Sequence, residues 1–480
     1  MKLRILIIMV CIFCMVACQK KEQTAIREPE VQPLEIELPE TAWQKTACII
    51  TEDTGAVSRI ITESIARRLD PEGLRIVTGS EITAGADYVV KTRAAQHNDT
   101  IEISYVIQES GRDSTFHHVM SFGKEEILAA LESVSAQVSQ SLGDSSFRKQ
   151  SHPVSGPAAQ KFLDAEALRL KGTPAAFNAA IRQYKEILRT DSLFTDAWAG
   201  LAESYLSLIE QGWERNHIWL SLAQQAAFKL IRYGNRGDGE AFLGRVALIR
   251  GDMRGAEKLF RQALEKNENL AAAWRGLGQI FGKYGLYEYA LEMYNLALVL
   301  NPSDLPSGVS KALILGGQGQ YSESIQLLQN LITANPNVLY LHSFLALQLF
   351  YRAEYGIAME EVRTGLGDPG YQPLSHAIMA MIQAKTGDSD AALGEVEIEV
   401  KPRAEGNSSL ATAVAAVYSL LGLKGQSVQW LEKAVDWGYM EYPWLVKDPN
   451  FSALQGDKRF EAICDTLQIV YTQRREAYLN

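Results

Sequence analysis

From residue 161 onward, small and large apolar residues return every 34 positions, and no other property of the chain limits its fold so tightly. One unit states the pattern in full, with Trp274, Leu277, Gly278, Phe281, Ala290, Tyr294, Ala297 and Pro302. One period earlier stand Leu243, Gly244, Ala247, Ala256, Phe260 and Ala263, and one period later Ala312, Leu315, Leu328, Leu331 and Pro336. The next steps give Leu345, Ala346, Leu349 and Ala358, then Met379, Ala380 and Ala392. One extra residue then leads to Val414, Ala415, Tyr418, Leu431 and Ala434. Upstream, Trp198, Leu201, Ala202 and Tyr205 open a unit separated from its successor by eight extra residues, which fall in the Trp213–Trp219 region. Unit starts are expected at 161, 195, 237, 271, 305, 339, 373 and 408. Each unit reads as two helices. Asn301-Pro302 and Asn335-Pro336 end the second helix, because a residue before proline avoids the α region. Gly278 and Ala290 are expected where the paired helices cross. A single unit cannot bury its apolar face, so the units must stack.

This spacing and the W-x-x-L-G run of Trp274–Gly278 resemble the tetratricopeptide repeat. The resemblance implies an all-α superhelical solenoid over 161–437, whose inner face is built by the first helix of each unit and contacts other proteins. The following Tyr442-Pro443-Trp444-Leu445, Asp448-Pro449-Asn450-Phe451 and Phe460 resemble the carboxy-terminal closure found after such repeats. Residues 438–480 are therefore expected to cap the last unit.

The amino-terminal end carries a different signal. Lys2 and Arg4 precede thirteen apolar residues, Ile5–Ala17, a length suited to a signal peptide and too short to span a bilayer. Met15-Val16-Ala17-Cys18 resembles the lipobox of bacterial lipoproteins, with Met15 where that family usually has Leu. The resemblance implies removal of residues 1–17, acylation at Cys18, and a place in the cell envelope. Gln19, not Asp, follows the cysteine and points to the outer membrane, facing the periplasm. Residues 18–40 read as a Pro-rich linker with Pro29, Pro33 and Pro39.

Residues 41–143 read as a small α/β domain. Strands are expected at Ala47–Thr51, Leu74–Val77, Asp87–Ala95, Thr100–Gln108 and Thr115–Phe122. A helix spans Val57–Leu69, a hairpin turns at His97-Asn98-Asp99, and Ile127, Leu131, Val134, Val138 and Leu142 mark a closing amphipathic helix. With Gly73–Val77 and Gly85–Val90, this order resembles the amino-terminal domain of the TolB and FlgO type, which the resemblance implies to be a protein-contacting module without catalytic residues. Residues 144–160, with Ser145, Ser146, Pro153, Gly156 and Pro157, read as a second linker.

The formal net charge of −10 disfavours non-specific nucleic-acid binding, which needs a basic face. Of five cysteines, only Cys48 and Cys464 remain after the signal and the lipid site, so no disulfide framework is expected. Catalytic motifs are lacking. Gly276–Lys283 has the wrong spacing for a phosphate loop, and Ser146-Phe147-Arg148-Lys149 has no partner motif. No metal or other cofactor is implied, and the reading is of a non-enzyme. The repeat register instead selects an inner-face groove: Arg245, Arg275, Gln279 and Lys283 as a basic stretch beside Tyr340, Phe350 and Tyr351 as an aromatic one. It is expected to hold a protein or peptide partner. The chain thus reads as a membrane-anchored envelope scaffold or adaptor; the alternative is a regulator of an envelope enzyme or complex.

Overall fold

The computed structural model describes residues 45–51, 61, 62, 65, 69, 74–79, 86–97, 100–110, 115–123, 127–142, 156–214, 216–234 and 236–479. The signal peptide, Cys18, both linkers up to residue 155, and most of the Val57–Leu69 helix lie outside them, as do residues 98–99 and 111–114.

Five described strands form one sheet: β1 (Lys45–Thr51), β2 (Leu74–Gly79), β3 (Tyr88–His97), β4 (Thr100–Glu109) and β5 (Thr115–Gly123). Their order is β2-β1-β3-β4-β5. β1 pairs in parallel with β2 and β3, and β3, β4 and β5 form an antiparallel meander. Alternation decides the buried face of β4, where Ile101, Ile103, Tyr105 and Ile107 point inward. Helix α1 (Ile127–Ser141) covers that face with Leu131, Val134 and Val138, all fully buried. On the opposite face, Cys48 and Ile50 pack with Ala86, which makes β1 a strand buried on both sides. The Thr92 hydroxyl donates to the Ile50 carbonyl at 3.0 Å, satisfying a polar group inside.

Helix pairs follow. Their first helices are α2 (Gly156–Arg169), α4 (Thr195–Glu210), α6 (Asp238–Ile249), α8 (Ala271–Lys283), α10 (Leu305–Gly317), α12 (Tyr340–Tyr351), α14 (Gln372–Thr386) and α17 (Ser408–Leu420). Their second helices are α3 (Pro174–Thr190), α5 (His217–Tyr233), α7 (Met253–Lys266), α9 (Tyr287–Leu300), α11 (Tyr321–Ala334), α13 (Tyr355–Gly365), the pieces α15 (Ser389–Glu395) and α16 (Lys401–Ala404), and α18 (Lys424–Asp436). The first unit begins at Gly156, inside the stretch read as linker, because Pro157 fits a first helical turn where no N–H partner is needed. From the second unit on, each first helix starts within a residue of the position set by the periodicity. The result is a mostly helical solenoid of repeated helix pairs, preceded by a small sheet region.

Aromatic rings seated on glycines set the close approach of these helices. The Phe260 ring leaves no room for a Cβ at either Gly244 or Gly276, one in its own unit and one in the next. A Cβ at Gly278 would lie 2.8 Å from Tyr294, and Ala290 is fully buried. Any larger residue would push the helices apart. The extra residue between the last two starts is absorbed as a π turn, Val396–Val400, between α15 and α16. A π turn is how a helix accommodates one inserted residue without losing its register on either side. The larger insertion lengthens α4 and α5 and builds the loop Gln211–Asn216 between them. That loop crosses to a unit far away in sequence, where the Gln211 carbonyl and the Trp213 indole N–H lie against Gly370.

A backbone rule repeats with the units. The turn between paired helices passes through the left-handed region at Gly172, Gly212, Gly251, Gly285, Gly319, Gly387 and Gly422. Ala353 takes the corresponding place with φ 62°, and it is the only non-glycine with positive φ among the described residues. At Gly285, Gly319 and Ala353 alike the turn residue's N–H bonds back to a carbonyl three residues earlier, at 2.9 Å each time. An L-residue there costs about 1–2 kcal/mol relative to glycine. Ala353→Gly is therefore expected to stabilise the chain by about 1 kcal/mol and raise its thermal unfolding midpoint. A lowered midpoint would contradict the turn geometry.

Candidate binding groove

The groove residues named from the register occupy first helices, but the structure gives them partners within the chain. Arg245, on α6, is 4 % exposed. Its guanidinium donates to Glu203 at 2.7 Å and to Glu210 at 2.6 Å, both carboxylates projecting from α4 of the preceding unit. Burial alone would raise the Glu203 carboxyl, but the Arg245 charge outweighs it and brings the group down to about 2. The same two carboxylates overcome the effect of burial on Arg245 and hold it above the usual guanidinium range. Arg275, on α8, pairs with Asp304, the residue preceding α10, and Asp304 also accepts from the Ser307 hydroxyl. Gln279 is half-buried one turn further along α8. The basic stretch therefore consists of cations already matched to carboxylates of neighbouring units.

The aromatic stretch divides. Tyr340 stacks on Tyr371 with ring centroids 4.5 Å apart, and Phe344 meets both rings edge-on. Phe350 does not line the groove. It is 3 % exposed and packs on Tyr355 of its own unit, because its place on α12 turns it toward the helix pair's interior. Tyr351 does face the groove, and there it meets the end of the chain.

Beyond α18, Gly438 turns with φ 92°. The chain then runs back across the inner face as α19 (Tyr442–Leu445), a 3-10 turn (Pro449–Leu454) and, as far as Tyr471, α20 (Lys458–Leu479). Leu445, Phe451 and Leu454 are buried in the core of the later units. The segment preceding them reaches much further back. Pro443 rests on Gly285, just beyond α8, so closely that a Cβ there would lie 2.5 Å from its ring. The Trp444 ring sits on Gly317 and meets Tyr351 edge-on, with centroids 5.2 Å apart. The Tyr351 hydroxyl donates to Asp448 at 3.1 Å and accepts from the Asn450 side-chain amide at 3.2 Å. These residues come from the fourth, fifth and sixth units. The register could not place them, because the tail has left the repeat.

Burial shapes the charges at this seam. It pushes Glu441 up to about 7, against the opposing pull of Lys283 and the Tyr287 hydroxyl. It also holds Lys283 below the ordinary ammonium value, with Glu441 opposing. Asp448 is pushed up to about 6 by burial, against the Asn450 backbone N–H, the Tyr351 hydroxyl and the Lys385 charge. Tyr351 and Tyr439 lie well above the ordinary phenol range, first through burial and then through nearby carboxylates. The arrangement can hold an acidic and aromatic segment. Among the described residues, no group of three or more His, Cys, Asp or Glu is placed to hold a metal ion. No described helix is long and apolar enough to cross a membrane.

No protein-family model matches the chain, and no curated protein matches it. Among solved structures it is similar to the APC/C hetero-tetramer Cut9–Hcn1, with 16 % identity and a TM-score of 0.47 over 72 % of this chain and 60 % of that one. It is similar to the human IFIT1 dimer with m7Gppp-AAAA, with 16 % identity and a TM-score of 0.43 over 64 % of this chain and 77 % of that one. PilF from Pseudomonas aeruginosa gives 18 % identity and a TM-score of 0.34 over 42 % of this chain and 88 % of that one.

The raised carboxyls fix a sign for the pH dependence. Glu441 moves from 4.5 unfolded to about 7 folded, so the folded chain binds more protons in that window and loses stability as pH rises through it. Asp448 acts in the same direction between 3.8 and about 6. Lys283 has the opposite sign, over the range below the ordinary lysine value. The unfolding midpoint should therefore fall between about pH 5 and about pH 7.5, and Glu441→Gln should flatten that fall. A midpoint that rises over this range in the unaltered chain, or a Gln variant with an unchanged slope, would contradict the assignment.

Proposed function

We propose that the chain is a lipid-anchored lipoprotein of the bacterial cell envelope whose repeat solenoid is a non-catalytic scaffold for protein partners. The observation carrying this reading is the continuous inner face of the helix-pair stack, where aromatic and charged side chains from successive units converge on one extended segment. Concave solenoid faces are contact surfaces of this kind. The pairing of Arg245 and Arg275 with carboxylates supports a protein partner over a nucleic acid, since counterion release needs unneutralised cations.

Anchoring rests on Lys2, Arg4, the apolar run to Ala17, and Cys18. Gln19 favours the outer membrane, with the solenoid facing the periplasm. The parallel pairing of β1 with β2 and β3, followed by a meander and α1, supports a domain of the TolB and FlgO type at 41–143, serving as a second contact module.

Two measurements test the reading. Cys18→Ala should release the protein from the membrane pellet into the soluble fraction. A variant that still pellets and resists a high-salt wash would contradict the lipid anchor. Crosslinking in intact envelopes followed by mass spectrometry should join residues 161–437 to another protein, and the absence of any such crosslink would contradict the scaffold role.

A further inference from the structure

We propose that the inner face of the fourth to sixth units is a peptide-binding groove now filled by the chain's own Glu441–Trp444 segment, and that it takes partner peptides in which an acidic residue precedes a proline–aromatic pair. This rests on the scaffold reading and names the chemistry of its partner.

The groove is built for that chemistry. Its acidic seat is assigned to Lys283 and Tyr287, whose electrostatic influence reaches Glu441, and the Tyr287 hydroxyl is buried without a hydrogen-bond partner, free to take one. Its proline and aromatic seats are floored by bare backbone at Gly285 and Gly317, so Pro443 and Trp444 can lie on the main chain. Tyr351 walls the aromatic seat edge-on. A ring pair of this kind contributes beyond its buried area.

The segment itself differs from the rest of the tail. Residues 440–444 are half-buried, whereas Leu445, Phe451 and Leu454 are core. Core residues Tyr439 and Leu445 bound it, with Gly438 in the left-handed region before the first and exposed Val446 and Lys447 after the second. The docked state also carries costs. Glu441 and Lys283 are both driven toward neutrality by burial. A segment held at such cost can swing out of its seats and be exchanged for one from outside while Tyr439 and Leu445 stay packed in the core.

The test uses the full chain in detergent and a fluorescein-labelled peptide with the sequence of residues 439–448, followed by fluorescence anisotropy. The variant Glu441→Gln, Trp444→Ala vacates the groove and should bind the peptide at least about tenfold tighter than the unaltered chain does, or about 1.4 kcal/mol. Adding Lys283→Ala should remove that gain. A peptide carrying the same two changes should not bind. A gain below about threefold, with unchanged helical circular dichroism, overturns the proposal. A vacated chain that dimerises without taking up the peptide assigns the groove to a second copy and also overturns it. A further measurement needs no variant: an excess of a shorter peptide, residues 439–446, which has no trypsin site, should speed tryptic cleavage of the unaltered chain after exposed Lys447 several-fold, and an unchanged rate overturns the proposal even if the variant fails to fold. Failure of these tests while envelope crosslinks to 161–437 persist would leave the scaffold role standing and move the contact elsewhere.

Discussion

Every helix pair in this chain presents apolar surface to both neighbours, and the fold follows from covering that surface at each level. Within the stack the cover is reciprocal. Phe260 fills the space that Gly244 and Gly276 leave open, and Tyr294 fills the space above Gly278. Apart from the Gln211–Gly370 crossing, each unit packs on its neighbours, so stability is chiefly a sum of neighbouring interfaces, and the ends need covers of another kind. At the amino-terminal end, the sheet and α1 share one continuous core with the first units, and the β2 edge is held by Asn269, which accepts the Ile76 N–H at 3.0 Å. At the other end the tail covers the last unit and continues across the inner face.

That continuation gives the inner face its character. The cations that the register brings to one side do not wait for an anionic partner. Arg245 and Arg275 are neutralised by carboxylates of adjoining units, and they tie those units together. Breaking a buried pair of this kind by removing one partner costs about 3–5 kcal/mol when fully buried, and less here because Glu203 and Glu210 keep about a third of their surface in water. Lys283, the remaining cation of that basic stretch, feels the charge of the tail's own Glu441.

Much of the architecture was legible in the residues because periodic packing forces periodic side chains. The starts at 195, 271, 305 and 408 coincide with the first residues of α4, α8, α10 and α17. The strands followed from alternation, with ends differing by a residue or two. An inserted residue could be counted between 373 and 408, but its fate as a π turn could not, since a helix can absorb one residue at many points. Gly251, Gly285 and Gly319 recur with the repeat, yet only the backbone shows that Ala353 is their strained counterpart. Positions in the groove were legible, and partners were not. Glu203 lies 42 residues from Arg245 and Asp304 lies 29 from Arg275, separations that no local pattern encodes. Phe350 was misplaced because one step around a helix of 3.6 residues per turn separates a groove side chain from a core one. The Tyr442-Pro443-Trp444 run was recognisable as a closure, but its reach to the fourth unit depends on the curvature of the whole stack.

The central claim is that the tail lines the inner face back to the fourth unit and does more than cap the last one. Hydrogen exchange, compared between the full chain and a chain ending at residue 437, separates the two directly. Loss of an end cap alone would deprotect α17 and α18 and leave distant helices unchanged. The result expected is additional deprotection at the ends of α8, α10 and α12, around Lys283, Gly317 and Tyr351. Protection at those three places that is identical in the two chains would contradict the account.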